Sequence, residues 1–230
     1  MNFSERSHAF IAARFYVRLT ETFGEQGRRA FIHATQYYAG QRGRRMAQRA
    51  IRDGKELTFE TYQQYGEWVS TPESVEGECS NLTEIASYAP DCTLRISRCP
   101  WHAQFKAMGL VEAGIEYCRH LDSAICRGFN PYLVYDVPQT LHESDCCIQI
   151  LRGANFPEGA RYEKKREYLR PFDYHCAHSY WSYSEVFAAV FGTEGERVSA
   201  QVLEDFRAEY GPAMADRLAE FRGTNFNVCD

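Results

Sequence analysis

The side chains best suited to chemistry fall in a few short stretches. In Arg98-Cys99-Pro100-Trp101-His102 a β-like segment gives way to a helix that starts at Pro100. Proline needs no backbone donor there and its φ is already helical, so Cys99 is the expected N-cap. A thiol in that position faces unpaired backbone N–H groups and the positive end of the helix dipole, both of which favour the thiolate. A small buried hydrophobe is the alternative reading of the same cysteine. Further along, Cys118 and Asp122 are spaced i, i+4 and share one helix face. Asp122 is suited to orient a histidine, hold a substrate nitrogen or act as a base, or else to pair with Arg119.

Two further stretches join these. Cys146-Cys147 opens a strand, where alternation sends one thiol inward and the other outward, and Cys146 is the favoured inward one. In Asp173-Tyr174-His175-Cys176-Ala177-His178, the two histidines are spaced i, i+3 near a helix start. That places both imidazoles on roughly one face, for general acid–base work or for metal. Cys99, Cys118, Asp122, His175 and His178 are therefore the catalytic candidates. His102, Cys146 and Tyr174, their neighbours, are the substrate-binding candidates. His8, His120 and His142 show no partner pattern and read as structural. Cys99-Pro100-Trp101-His102 also has the C-x-x-H form, so zinc is an alternative, although no second pair stands at finger-like spacing. No metal or other cofactor is expected. Glycine-rich phosphate loops, G-x-S-x-G and H-E-x-x-H are all missing.

These residues need elements to position them. Apolar spacing predicts a helix over 8–22, Ala-, Arg- and Gln-rich composition one over 26–53 and a Thr58 cap one over 57–68, followed by one long helix from Pro100 to about Cys126 with Gly128 as its C′ residue. Strands are expected at 93–97, 132–137 and 146–151, the last two as antiparallel neighbours, with a short one around 82–88. Residues 153–171 read as loop, 174–191 as an aromatic-rich helix, and Glu196 through Pro212 to Phe221 as a closing helix. There is no internal repeat at a fixed period. The expected fold is α+β: a small antiparallel sheet of three or more strands packed with N-terminal, central and C-terminal helices. One domain over 1–230 is expected, with a helical part at 1–70, an α+β core at 80–192 and a C-terminal helix at 193–230.

At 230 residues, with 44% hydrophobic and 14% aromatic side chains, the chain can bury a full core. A net charge of −5 and a pI near 5.8 argue against a nucleic-acid partner. The basic run Arg42, Arg44, Arg45, Arg49 and Arg52 reads as a solvated helix face, or as part of the approach for an anionic substrate. No signal peptide and no membrane span are expected. Nine cysteines, an odd count without export signals, favour reduced thiols and a cytoplasmic location. The expected partner is a small-molecule substrate, and a homo-oligomer stays open.

Taken in order, the motifs resemble the L-2-amino-thiazoline-4-carboxylic acid hydrolase family. The matching pieces are Phe23-Gly24-Glu25-Gln26-Gly27, Arg98-Cys99-Pro100, Tyr117-Cys118-Arg119-His120-Leu121-Asp122 and Gly128-Phe129-Asn130-Pro131. Thr140-Leu141, Asp145-Cys146 and Asp173-Tyr174-His175 through His178 complete the set, from about residue 20 to 190. The resemblance implies a hydrolase that opens a small cyclic amidine or amide at a C–N bond, with thiol and histidine assistance. It points to Cys99, Cys118, Asp122, Cys146, His175 and His178. The chain departs from the family pattern in having Ser144-Asp145 before the cysteine and Cys147-Ile148-Gln149 after it, where Gly-Asp and Asp-Phe-Arg are expected. A fainter likeness over Cys118 to Ile150 is to four-vinyl-reductase-type sensor domains with zinc. It suggests the alternative of a non-catalytic small-molecule or zinc-binding module.

Overall fold

The first helix turns back through a glycine corner. The computed structural model describes residues 2–229, and in it α1 (Glu5–Phe23) meets α2 (Glu25–Arg52) at Gly24, whose φ of 56° suits a residue without Cβ. Three residues on, a side chain at Gly27 would run into the Leu19 carbonyl. The corner recurs: α7 (Phe172–Phe191) meets α8 (Thr193–Tyr210) at Gly192, with φ again 56°, and Gly195 abuts the Phe187 carbonyl in the same way. Phe23 and Phe191, each just before its corner glycine, stack at 3.8 Å with ring planes 2° apart. Two helical hairpins thus face each other through their corners.

Between them lie α3 (Phe59–Gln64), α4 (Pro72–Glu76), β1 (Leu82–Ser87), β2 (Cys92–Arg98), α5 (Pro100–Ala107), α6 (Val111–Phe129), β3 (Tyr135–Gln139) and β4 (Cys147–Leu151), and α9 (Pro212–Glu220) follows α8. The four strands form one antiparallel sheet in the order β1-β2-β4-β3. The α+β reading therefore holds.

Some boundaries differ from expectation, each for a local reason. The helix expected over 57–68 stops at Gln64, and residues 65–71 leave it to carry Glu67 and Trp68 into the interior. The long helix expected from Pro100 breaks at Gly109, where φ is +69°, so α5 folds back on α6. On one unbroken helix Cys99 and Cys118 would be about 28 Å apart at 1.5 Å per residue. The break brings them to a common cavity. Gly211, at φ +89°, likewise splits the closing helix, with Pro212 starting α9. Gly128 is not a cap but lies inside α6, against Gly40 of α2, while Gly43 abuts the α6 backbone near Ile125. Without these Cβ atoms, α2 and α6 approach closely and make the most extensive helix–helix interface.

Burial explains the arrangement. Most buried apolar residues belong to one cluster of α1, α2, α6, α7 and α8, including Phe15, Phe31, Tyr183, Phe187 and Phe206. Burying a large side chain of this kind is worth about 1.5–3 kcal/mol. The sheet covers α6 on its other side through β3. Inward-facing Leu94 and Ile96 of β2 pair with Gln149 and Cys147 of β4, so alternation sets four side chains over α6.

Candidate active site

A cavity of about 350 Å³ lies between α2, α5, α6 and the inner face of the sheet. It draws together Cys99, His102, Cys118, Asp122, Cys147 and His175, with His142, Arg42 and Lys164 beside them. Of the residues singled out in the sequence, Cys146, Tyr174 and His178 are outside its lining. Strand register puts Cys147 inward rather than Cys146. Cys146 instead takes contacts from Arg95 at 3.9 Å and Gln139 at 3.5 Å. His178 is wholly buried, stacked on Phe226 and bonded to Gln41 at 3.0 Å. Tyr174 packs against His175, His178 and Phe226, under the Arg45 guanidinium.

The imidazole beside Cys118 is His142, a residue read from the sequence as structural. Cys118 Sγ is 3.7 Å from its Nε2. His142 arrives from the turn between β3 and β4 and rests on Gly114, one helical turn before Cys118. A Cβ at Gly114 would stand 2.5 Å from Nε2 and 2.8 Å from Nδ1. The bare backbone at 114 is thus the space the ring occupies. His102 packs edge-on against the same ring, centroids 4.9 Å apart. His142 Nδ1 is buried with no partner among the described residues.

Burial governs the charge states here. It pushes the Cys118 thiol well above its ordinary value, with Cys99, Asp122 and Cys147 adding to the rise, and holds His142 down at about 4, helped by His102. The resting pair is therefore a neutral thiol and a neutral imidazole. Cys99 does cap α5, and the Trp101 and His102 amides favour its thiolate, but desolvation outweighs them and lifts it to about 11. Cys147 is pushed up to about 12, first by burial and then by Asp122 and Cys99.

Asp122, one turn past Cys118, is raised to about 6 by burial, against the pull of Arg42 and a hydrogen bond from Gln149. Tyr135 donates to Gln149 Oε1 at 2.6 Å, and this orients Gln149 Nε2 to donate to Asp122 Oδ2 at 2.8 Å. His175 also lines the cavity. Its Nε2 lies 3.2 Å from the Glu67 carbonyl, which only accepts, so Nε2 carries the hydrogen. Burial and Arg42 lower His175 to about 3, and its Nδ1 lone pair has no partner among the described residues.

The arginine run is largely interior. Arg45 and Arg49 of α2 are wholly buried and both bind Glu67 at 2.6 Å, while Arg42 stands 3.9 Å from it. Glu67, itself wholly buried, is held down at about 2 by Arg45 and Arg42 against the opposing effect of burial. Among the described residues no three His, Cys, Asp or Glu side chains are placed to hold a metal ion. No described helix is long and apolar enough to cross a membrane.

An α-helical core closed by a four-stranded antiparallel sheet thus encloses a cavity in which a thiol has an imidazole within reach. The chain belongs to the L-2-amino-thiazoline-4-carboxylic acid hydrolase family, whose model matches residues 4–148. That span includes Cys99, Cys118, Asp122, His142 and Cys147, and stops before Lys164 and His175. Comparison with curated proteins and with solved structures gives no match.

Proposed function

We propose that the protein hydrolyses a small cyclic amidine or amide, opening the ring at a C–N bond, with Cys118 as nucleophile and His142 as its base. Membership of the hydrolase family supports the reaction class. The observation that carries the reading is the Cys118–His142 contact of 3.7 Å, made over a glycine that leaves room for the ring. Nucleophilic thiols are recognised by a base within such reach.

In this reading Sγ adds to the ring's amidine or carbonyl carbon while its proton passes to His142 Nε2. Both groups start neutral, so the proton moves with the attack and no buried ion pair has to persist beforehand. Collapse breaks the ring C–N bond, and the leaving nitrogen takes the proton back from the imidazolium. Water, deprotonated by the same imidazole, then cleaves the enzyme-bound thioester or thioimidate and restores the thiol. Asp122, ionised above about pH 6, holds the amidine N–H groups from one turn away.

Incubation with 2-amino-2-thiazoline-4-carboxylate and a set of small lactams, followed by mass spectrometry, tests this. The expected result is a product heavier by one water, formed by the wild type and at least about a hundredfold more slowly by His142→Ala. Every ring surviving intact, or full activity in His142→Ala, would reject it.

A further inference from the structure

The cavity is longer than the reacting groups need. Cys118, Leu121, Asp122 and Ile125 of α6 all line it, and their i, i+3, i+4, i+7 spacing runs along one helix face for about 10 Å. Cys118 and His142 stand at one end of that face, with Asp122 one turn on. Asp122 accepts a hydrogen bond from Gln149 and faces the opposite charge of Arg42, which lowers it. Tyr135 in turn gives its hydroxyl hydrogen to Gln149. These polar groups therefore satisfy one another across the middle of the cavity.

One more turn along α6 the walls change character. Gly43 of α2 meets the α6 backbone at Ile125, and Met46, three residues further on, lines the cavity beside it. Tyr62 arrives from α3 and packs edge-on against Tyr135, ring centroids 6.1 Å apart, and against Phe129 at 5.6 Å. Leu94 of β2 packs in the same cluster as Tyr62 and Tyr135. Met46, Tyr62, Leu94, Ile125 and Tyr135 thus wall this end, and none of them carries a charge. At about 350 Å³ the cavity falls among sites of about 300–1,000 Å³ that enclose a drug-sized molecule, more than a lone five- or six-membered ring fills. An apolar group lodged at the far end leaves water for apolar and aromatic contact, which is favourable in proportion to the area covered.

We propose that this end of the cavity is a subsite for an apolar substituent of about phenyl size, so that the ring opened at Cys118 is one that carries an aryl group. The inference rests on the cavity being the substrate site. In this arrangement the ring lies between Cys118 and Asp122, and its substituent reaches past Asp122 to Tyr62, Leu94 and Ile125.

Calorimetry on the intact protein tests it with acetamidine and benzamidine, which share the amidinium that Asp122 would hold and contain no C–N ring to open. Benzamidine is expected to bind at least about tenfold more tightly, the least that burying a phenyl ring is worth. Its binding should also show the more negative heat-capacity change, the mark of apolar burial. Leu94→Phe, which fills the subsite, and Tyr62→Leu, which removes an aromatic wall, should each cut the preference at least about threefold. Acetamidine binding should stay within about twofold in both, with thermal unfolding showing each variant to be folded. Equal binding of the two amidines, equal heat-capacity changes, or a preference that survives in both variants would each overturn the proposal. The thiol chemistry fails separately: ring opening absent with the aryl preference intact counts against Cys118 and His142, whereas bare rings opened with no aryl preference count against this subsite alone.

Discussion

Gly114→Ala separates the catalytic reading from mere packing. The added Cβ would stand 2.5 Å from His142 Nε2 and 2.8 Å from Nδ1. Carbon atoms in ordinary contact sit about 3.5–4.0 Å apart, so the ring has to retreat by about 1 Å. Its contact with Cys118, now 3.7 Å, is then lost. A displacement of that size costs about a hundredfold in turnover when the displaced group is catalytic. Stability moves much less. Alanine gains about 1 kcal/mol of helix propensity over glycine, set against about 1–3 kcal/mol for overpacking, a net loss of at most about 2 kcal/mol. The assay pairs kcat with thermal unfolding for Gly114→Ala, His142→Ala and the double variant. The double variant has no ring to clash with, so it should be no slower than His142→Ala and more stable than it by about 1 kcal/mol. A folded Gly114→Ala enzyme turning over at the wild-type rate would refute the placement of His142 as base.

Other outcomes follow from the charge states. kcat/KM should rise through about pH 6 as Asp122 ionises, with Asp122→Asn removing that limb. Because the folded-state value of Asp122 is raised, its ionised form costs stability, absent below pH 3.8 and present above about 6. Asp122→Asn should therefore stabilise the protein at pH 8 by about 2 kcal/mol, allowing for water in the cavity, and not at pH 3.5, as read by denaturant melts. Glu67 is lowered instead, so its contribution is present above 4.5 and fades as pH falls towards about 2. Glu67→Gln removes the carboxylate that Arg45 and Arg49 both bind at 2.6 Å and should cost about 3–5 kcal/mol in the same melts at neutral pH.

Much of this was legible in the sequence, and the failures have physical causes. Apolar spacing marked α1, composition marked α2 and the aromatic-rich α7, and β-branched and aromatic content marked the antiparallel strands. The break at Gly109 was hidden, since an isolated glycine inside a helical pattern is tolerated at a cost of only about 1 kcal/mol relative to alanine. That single residue decides whether Cys99 and Cys118 meet. His142 carries no spacing signal, because it reaches Cys118 from a turn 24 residues away. The readable trace was Gly114, a costly residue within an otherwise amphipathic helix. The arginine run looked like a solvated face, yet Arg42, Arg45 and Arg49 are spaced i, i+3, i+7 on one side of α2 and are buried, while Arg44 and Arg52 are exposed. The repeated Phe-Gly-x-x-Gly corner escaped notice because it occurs at opposite ends of the chain rather than at a fixed period.

The central claim is that one thiol of the three lining the cavity, Cys118, is the nucleophile. The most direct test is to compare turnover of a substrate identified by mass spectrometry in Cys99→Ser, Cys118→Ser and Cys147→Ser, each shown to be folded by thermal unfolding. Cys118→Ser is predicted to lose at least about a hundredfold in kcat, with the other two staying within about tenfold of wild type. Near-normal turnover by Cys118→Ser, or a comparable loss in Cys99→Ser alone, would contradict it.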